Sequence, residues 1–145
     1  MAVLNPNNWH WVDKNTLPWT KQYLNEKFIN YEITKNSTTI KIIQINRING
    51  DSNVSQRKGK PICYFDLDLE FKVNVTNPEK DEEEESGTLR IPEFMHDDSE
   101  PLIDINGFSQ SNSQLIQTSF IPTFKTTLLQ YQNDLLEKHS SDLQE

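Results

Sequence analysis

The chain has 145 residues, a formal charge of −8, 34% apolar residues, a mean hydropathy of −0.74 and a pI near 4.9. That length suits one domain, 1–145, with a modest core, and the acidity sets the overall field against nucleic-acid phosphate. No apolar run approaches the ~18 residues of a membrane span, the first residues lack the pattern of a signal peptide, and the lone Cys63 excludes an internal disulfide.

A single thiol fits a reducing compartment, so the expected location is the cytosol. Charge is unevenly spread. Residues 1–64 carry nine Lys/Arg against four Asp/Glu, and residues 65–145 carry five against eighteen. Such asymmetry points to a partner with a charged patch of its own, here an acidic protein surface.

Taken in order, Asn5-Pro6-Asn7-Asn8-Trp9-His10-Trp11 opposes regular structure while its tryptophans ask for burial or a partner. Residue chemistry alone favours their packing on the domain. A helix is expected from Asn15 or Thr16, with Pro18 in its first turn, where a missing N–H costs nothing. Trp19, Tyr23, Leu24, Phe28 and Tyr31 then share a face. A first strand spans Thr38–Ile48. Its isoleucines switch faces between Ile42 and Ile43, which predicts a bulge there or burial on both faces. Asn49-Gly50-Asp51 reads as a turn, followed by a short second strand from Ser52 to Arg57.

Gln56-Arg57-Lys58-Gly59-Lys60-Pro61 places three cations in four residues on a tight turn, where glycine permits positive φ. The third strand, Ile62 to about Val75, follows. Phe65, Leu67, Leu69, Phe71, Val73 and Val75 alternate with Asp66, Asp68, Glu70, Lys72 and Asn74, giving one buried and one wet face. Parity turns Ile62 and Tyr64 outward, making a small apolar patch beside the cations. The alternative is that Ile62 packs under the turn. Residues 77–87 read as a solvated acidic loop, Thr88–Ile91 as a fourth strand ending at Pro92, and Glu93–Asp104 as a second acidic connection. Ser109–Ser113 is loop or the approach to a helix. The last element is a helix over about Gln114–His139, with Phe120, Phe124, Leu128, Tyr131 and Leu135 as its inward stripe, widened by Leu115, Ile121 and Leu136. Pro122 inside it predicts a kink or restart.

Motifs for catalysis are missing. His10, His96 and His139 lie in separate elements without ligand spacing, so no metal is expected. There is no glycine-rich phosphate loop and no nucleophile elbow, and no cofactor is implied. Asp66, Asp68 and Glu70 line one strand face, where acid–base work is conceivable, but the alternation reads as a solvated sheet face. The expectation is a binding protein and not an enzyme. An interaction module for some acidic protein, a small-ligand carrier with an apolar pocket between helix and sheet, and a carboxylate hydrolase stand as rivals.

The segments Asn5–Asn15 and Gln56–Lys60, with Phe65-Asp66-Leu67 and Ile91-Pro92-Glu93, resemble the N-terminal domain family of the activator of heat-shock-protein-90 ATPase, and within it the short single-domain co-chaperones. The similarity runs nearly end to end. It implies an α+β fold with an N-terminal helix, a four-stranded antiparallel meander and a long C-terminal helix. It also implies a monomeric co-chaperone that binds the middle domain of heat shock protein 90 and frees its catalytic loop, so that ATPase activity rises. Such stimulation is expected to be weaker than that of two-domain activators. Arg57, Lys58 and Lys60 match the family's basic motif, with Asp51, Ile62 and Tyr64 as the adjoining contact. Asn5, Asn7, Asn8, Trp9, His10 and Trp11 match a motif tied to the chaperone's conformational cycle, which turns the reading of those tryptophans from packing to function.

Overall fold

The computed structural model describes residues 12–35, 37–57, 60–77 and 84–144. The expected N-terminal motif, Asn5 to Trp11, lies outside them, as do Lys58 and the side chain of Arg57.

Alternation over Phe65–Val75 gives the spine of the molecule. It lies in β4 (Lys60–Thr76), which pairs antiparallel with β3 (Thr38–Arg57) on one side and β5 (Glu85–Met95) on the other. Phe65, Leu67, Leu69, Phe71, Val73 and Val75 are all buried, and the residues between them are half-exposed. The fold is the α+β meander with a long C-terminal helix that the sequence implies, but with six strands among the described residues instead of four. The short additional strands are β1 (Val12–Asn15), β2 (Glu32–Lys35) and β6 (Asp104–Asn106). β1 and β2 pair with opposite ends of β3, on the side away from β4, and β6 pairs with β5.

Asn49-Gly50-Asp51 is not a turn. β3 runs straight through it, with Gly50 opposite Leu67. Gly50 has φ of +120°, and a Cβ there would stand 2.1 Å from the Asp66 carbonyl oxygen. The glycine serves a close backbone approach inside a strand, a use that shares its positive φ with a turn. The bulge expected near Ile43 is present, with a second at Asn46, seen as register shifts between Ile42 and Gln44 and between Ile45 and Arg47. Two extra residues bring Ile42, Ile45 and Ile48 onto one face at intervals of three. The fourth strand does not stop at Pro92. The β4–β5 register shifts between the Leu69–Ile91 and Leu67–Phe94 pairs, so Pro92 falls where no ladder donor is required.

Helix α1 (Leu17–Phe28) starts with Pro18 in its first turn. Thr16 provides no side-chain cap; Asn15 Oδ1 accepts the Leu17 N–H at 3.0 Å instead. Tyr23, Leu24 and Phe28 are buried, whereas Tyr31 lies beyond the helix, its N–H donated to the Phe28 carbonyl. The C-terminal helix begins earlier than its apolar stripe, as α2 (Gln110–Leu115). Ser109 Oγ caps it by accepting the Asn112 N–H, and Glu85 accepts from Ser109 N and Asn112 Nδ2. Those donors hold the Glu85 carboxyl below the usual carboxylate range. A π-helical turn, Ile116–Phe120, then leads into α3 (Ile121–Gln144). The α-helical ladder is thus interrupted just ahead of Pro122 and resumes at Ile121, in keeping with the kink or restart that the sequence predicts there. The wider turn, with Ile121 N–H donated to the Ile116 carbonyl, absorbs the lost donor one residue ahead of the proline. Phe120, Phe124, Leu128, Tyr131 and Leu135 are all fully buried.

Both helices pack on the face that carries Phe65 and Phe71. Phe28 and Phe124 meet Phe71 at ring centroids of 5.3 and 5.2 Å, and Tyr131 meets Phe65 at 4.9 Å. The layer between helix and sheet is filled by these rings. That close packing runs against the ligand-carrier reading.

Candidate functional site

Strand parity builds the site on the other face. From Asp51 to Arg57 the β3–β4 ladder runs without a bulge, so Asp51–Asp66, Asn53–Tyr64 and Ser55–Ile62 are successive pairs of one face, which Lys60 of β4 continues. At ~3.4 Å per residue this strip is about 20 Å long. Lys60 is exposed at its turn end. Ile62 and Tyr64 are each 43% exposed, which settles the sequence question in favour of outward display. Asp51 and Asp66, both carboxylates, face each other at the opposite end. The strip therefore grades from cation through apolar side chains to anion, a polarity that can set the direction in which a partner lies.

A hollow of about 580 Å³ opens beside the apolar stretch, lined by Asn15, Asn53, Ser55, Ile62, Tyr64 and His96. His96 was not legible as a site residue, since it sits in an acidic connection without periodicity. It reaches the hollow because β5 runs on to Met95, opposite Asp66. Its ring stands 5.1 Å from that of Tyr64, and its Nδ1 lies 3.3 Å from the Phe65 carbonyl oxygen. The turn is pinned to α3, where Gln132 Oε1 accepts the Asp97 N–H at 2.6 Å and Gln132 Nε2 donates to Asp97 Oδ1 at 2.8 Å. Cys63, in the same wall, has its thiol pushed up to about 11 by burial and by Asp97. It stays a protonated thiol at neutral pH and is a poor nucleophile.

Of the three β4 carboxylates, Asp68 and Glu70 are engaged across the sheet. Asp68 Oδ2 accepts from Arg47 Nη1 at 3.1 Å and Arg90 Nη2 at 3.0 Å, and Glu70 accepts from Asn46 Nδ2. Asp68 and Glu70 are thus sheet-face residues tied to neighbouring strands, and Asp66 shares their half-exposed face, as the alternation predicts. Among the described residues no cluster of His, Cys, Asp or Glu could hold a metal ion, and no helix is long and apolar enough to cross a membrane.

Fold and site together define a class: an α+β domain whose antiparallel meander carries its helices on one face and a strip graded from cationic through apolar to acidic on the other. The family model for the activator of Hsp90 ATPase, N-terminal, matches residues 13–139, and the chain belongs to that family. It is 52% identical to the Hsp90 co-chaperone HCH1 of Saccharomyces cerevisiae, over 99% of both chains. It is 35% identical to the Hsp90 co-chaperone AHA1 of the same yeast, spanning 99% of this chain but 44% of that longer protein. A crystal structure of Aha-1 from Plasmodium falciparum superposes with a TM-score of 0.74 at 25% identity, covering 90% of each chain.

Proposed function

We propose that this chain is an Hsp90 co-chaperone, a single domain over 1–145 that acts as a cytosolic monomer. In this reading it docks on the middle domain of Hsp90 and raises ATPase activity by remodelling the catalytic loop. The observation that carries the reading is the outward strip ending in Lys60, Ile62 and Tyr64 on a member of this family. Similarity to HCH1, itself named an Hsp90 co-chaperone, supports the choice of partner.

The physics of the strip suits the role. Lys60, with Arg57 and Lys58, steers onto an acidic surface and fixes register, while Ile62 and Tyr64 supply affinity through apolar contact. Asp51 closes the far end. Stimulation follows only where the docked domain binds the active loop arrangement more tightly than the inactive one, because equal binding shifts nothing. One domain by itself has a single attachment, so its stimulation is weak beside that of a protein with two. The motif from Asn5 to Trp11, including Asn7, Asn8, Trp9 and His10, contributes to the chaperone's cycle. Hydrolysis itself belongs to the partner, and this chain needs no cofactor.

The test pairs Arg57→Ala with Lys58→Ala and measures Hsp90 ATPase beside circular dichroism. A folded double variant with lost stimulation supports the assignment. Undiminished stimulation by a folded double variant sinks it, and binding without any stimulation leaves an interaction module.

A further inference from the structure

We infer that the hollow beside Ile62 and Tyr64 is the seat of this chain's own N-terminal segment, Asn5 to Trp11: in the free protein the indoles of Trp9 and Trp11 pack into it and cover the apolar stretch of the strip. The inference stands apart from the docking reading, since both sides of the contact belong to one chain. The segment lies outside the described residues, and the seat is built entirely from described ones.

Ile62 and Tyr64 are each 43% exposed, and the hollow of about 580 Å³ that they wall is completed by His96, Asn15, Asn53 and Ser55. That volume falls within the ~300–1,000 Å³ of sites that take a sizeable organic group. The Tyr64 and His96 rings, 5.1 Å apart, already form an aromatic wall against which a further ring packs edge-on or offset.

The strand register supplies the occupant. β1 begins at Val12, opposite Gln56, and Gln56 is opposite Pro61, so the chain enters the sheet one row from the Ser55–Ile62 pair. Val12 and Ile62 are separated by two strand spacings and one row, roughly 10 Å. Three extended residues cover about 10 Å, which brings Trp9 within reach of Ile62 before any side-chain length is counted. Parity agrees. Asn15 lines the hollow from its place opposite Asn53, and counting back by twos along an extended chain arrives at Trp11 and then Trp9. Composition agrees as well. Asn5-Pro6-Asn7-Asn8 carries the chemistry that turns a chain back on itself, and Asn5 to Trp11 holds no Asp, Glu, Lys or Arg to keep it in water. So short a tether gives an effective concentration on the order of millimolar, at which even a weak indole contact is populated. On the docking reading, a partner that takes Ile62 and Tyr64 must lift these rings away, and its apparent affinity scales with the fraction of chains whose seat is open.

The test is NMR of the full chain alone, labelled at the tryptophan indoles and the isoleucine methyls. Nuclear Overhauser contacts are expected between the Ile62 methyls and the Trp9 or Trp11 ring. Trp19, held 4.9 Å from the Tyr23 ring and 5.1 Å from that of His139, is the internal reference. Ile62→Ala with Tyr64→Ala moves the Trp9 and Trp11 indole N–H signals to their random-coil positions and raises their solvent exchange severalfold, while the Trp19 signal stays in place. Should that variant unfold, the contacts in the natural chain decide alone. Trp9 and Trp11 signals at random-coil positions in the natural chain overturn the inference and leave the hollow to a partner. Indole contacts with another face of the domain overturn it too. So do contacts seen only between differently labelled chains, which make a second copy the occupant.

Discussion

The hydroxyl of Tyr131 lies 2.6 Å from Ser52 Oγ, joining α3 to β3 one residue from the Asn53–Tyr64 pair of the strip. Thr20 Oγ1 is 2.5 Å from the same phenol and donates to the Thr16 carbonyl, and Thr16 Oγ1 is 2.8 Å from Ser52 Oγ. All four residues are buried. One hydroxyl cluster thus holds both helices and the sheet together beneath the strip that carries Tyr64. The expected result for Tyr131→Phe is a loss of about 1–2 kcal/mol, because Thr20 and Ser52 each lose a buried partner. Ser52→Ala gives a similar loss, and the double variant costs less than the sum of the two. Urea midpoints check this, and full additivity contradicts a shared cluster.

Gly50→Ala is the sharpest test of the strand assignment. A methyl at that position meets the Asp66 carbonyl at 2.1 Å, and a φ of +120° is barred to L side chains. Neither strain has a flexible neighbour to relieve it, so the variant loses ~3 kcal/mol or more or fails to fold. A solvent-exposed hairpin turn at Asn49-Gly50-Asp51 would instead lose about 1–2 kcal/mol, the left-handed backbone cost alone. Thermal denaturation separates the two.

That glycine shows how the sequence misleads. Asn-Gly-Asp is turn chemistry because it tolerates positive φ, and a kinked strand asks for the same tolerance. Phe65–Val75 and the stripe from Phe120 to Leu135 were legible because each buries one side of a long regular element, which writes its period into the residues. The strands Val12–Asn15, Glu32–Lys35 and Asp104–Asn106 are too short to show a period, and form because β3 and β5 offer unpaired ladder groups. Within the site, strand parity is enough to turn Ile62 and Tyr64 outward. His96 comes from a connection, where position depends on Gln132 of α3, some thirty-five residues away in sequence.

Replacing exposed apolar residues should separate binding from stability. Ile62→Ala changes unfolding free energy by no more than about 0.5 kcal/mol, as for other surface sites, while binding to Hsp90 weakens on the order of tenfold. Tyr64→Ala weakens it at least as much, since it also removes the ring contact to His96. Affinity of the natural chain falls as salt rises, because the cationic end acts through a screened field. A calorimetric titration in which Ile62→Ala binds as well as the natural chain removes the apolar stretch from the docking surface.

The alkaline limb of stability follows from three groups that the fold keeps protonated. Burial raises the Cys63 thiol to about 11 from an ordinary value of 9.0. Burial likewise raises Tyr131, against the lowering effect of its bonds to Ser52 and Thr20. Tyr23 is raised by burial and then by its hydrogen bond to Asp134. An unfolded chain releases these protons first, so it binds fewer protons than the native state and stability declines with rising pH. The contribution is intact below about pH 8.5, begins to fall as unfolded thiol ionises, and falls faster near pH 10 as unfolded phenols follow. For the half-buried thiol the loss is on the order of 1 kcal/mol once solvent screening is allowed for. Cys63→Ala removes the early part of the decline and leaves the later part, which belongs to the tyrosines. Urea midpoints for both proteins from pH 7 to 10.5 decide it: parallel curves between pH 8.5 and 9.5 mean that the fold does not hold the thiol as described.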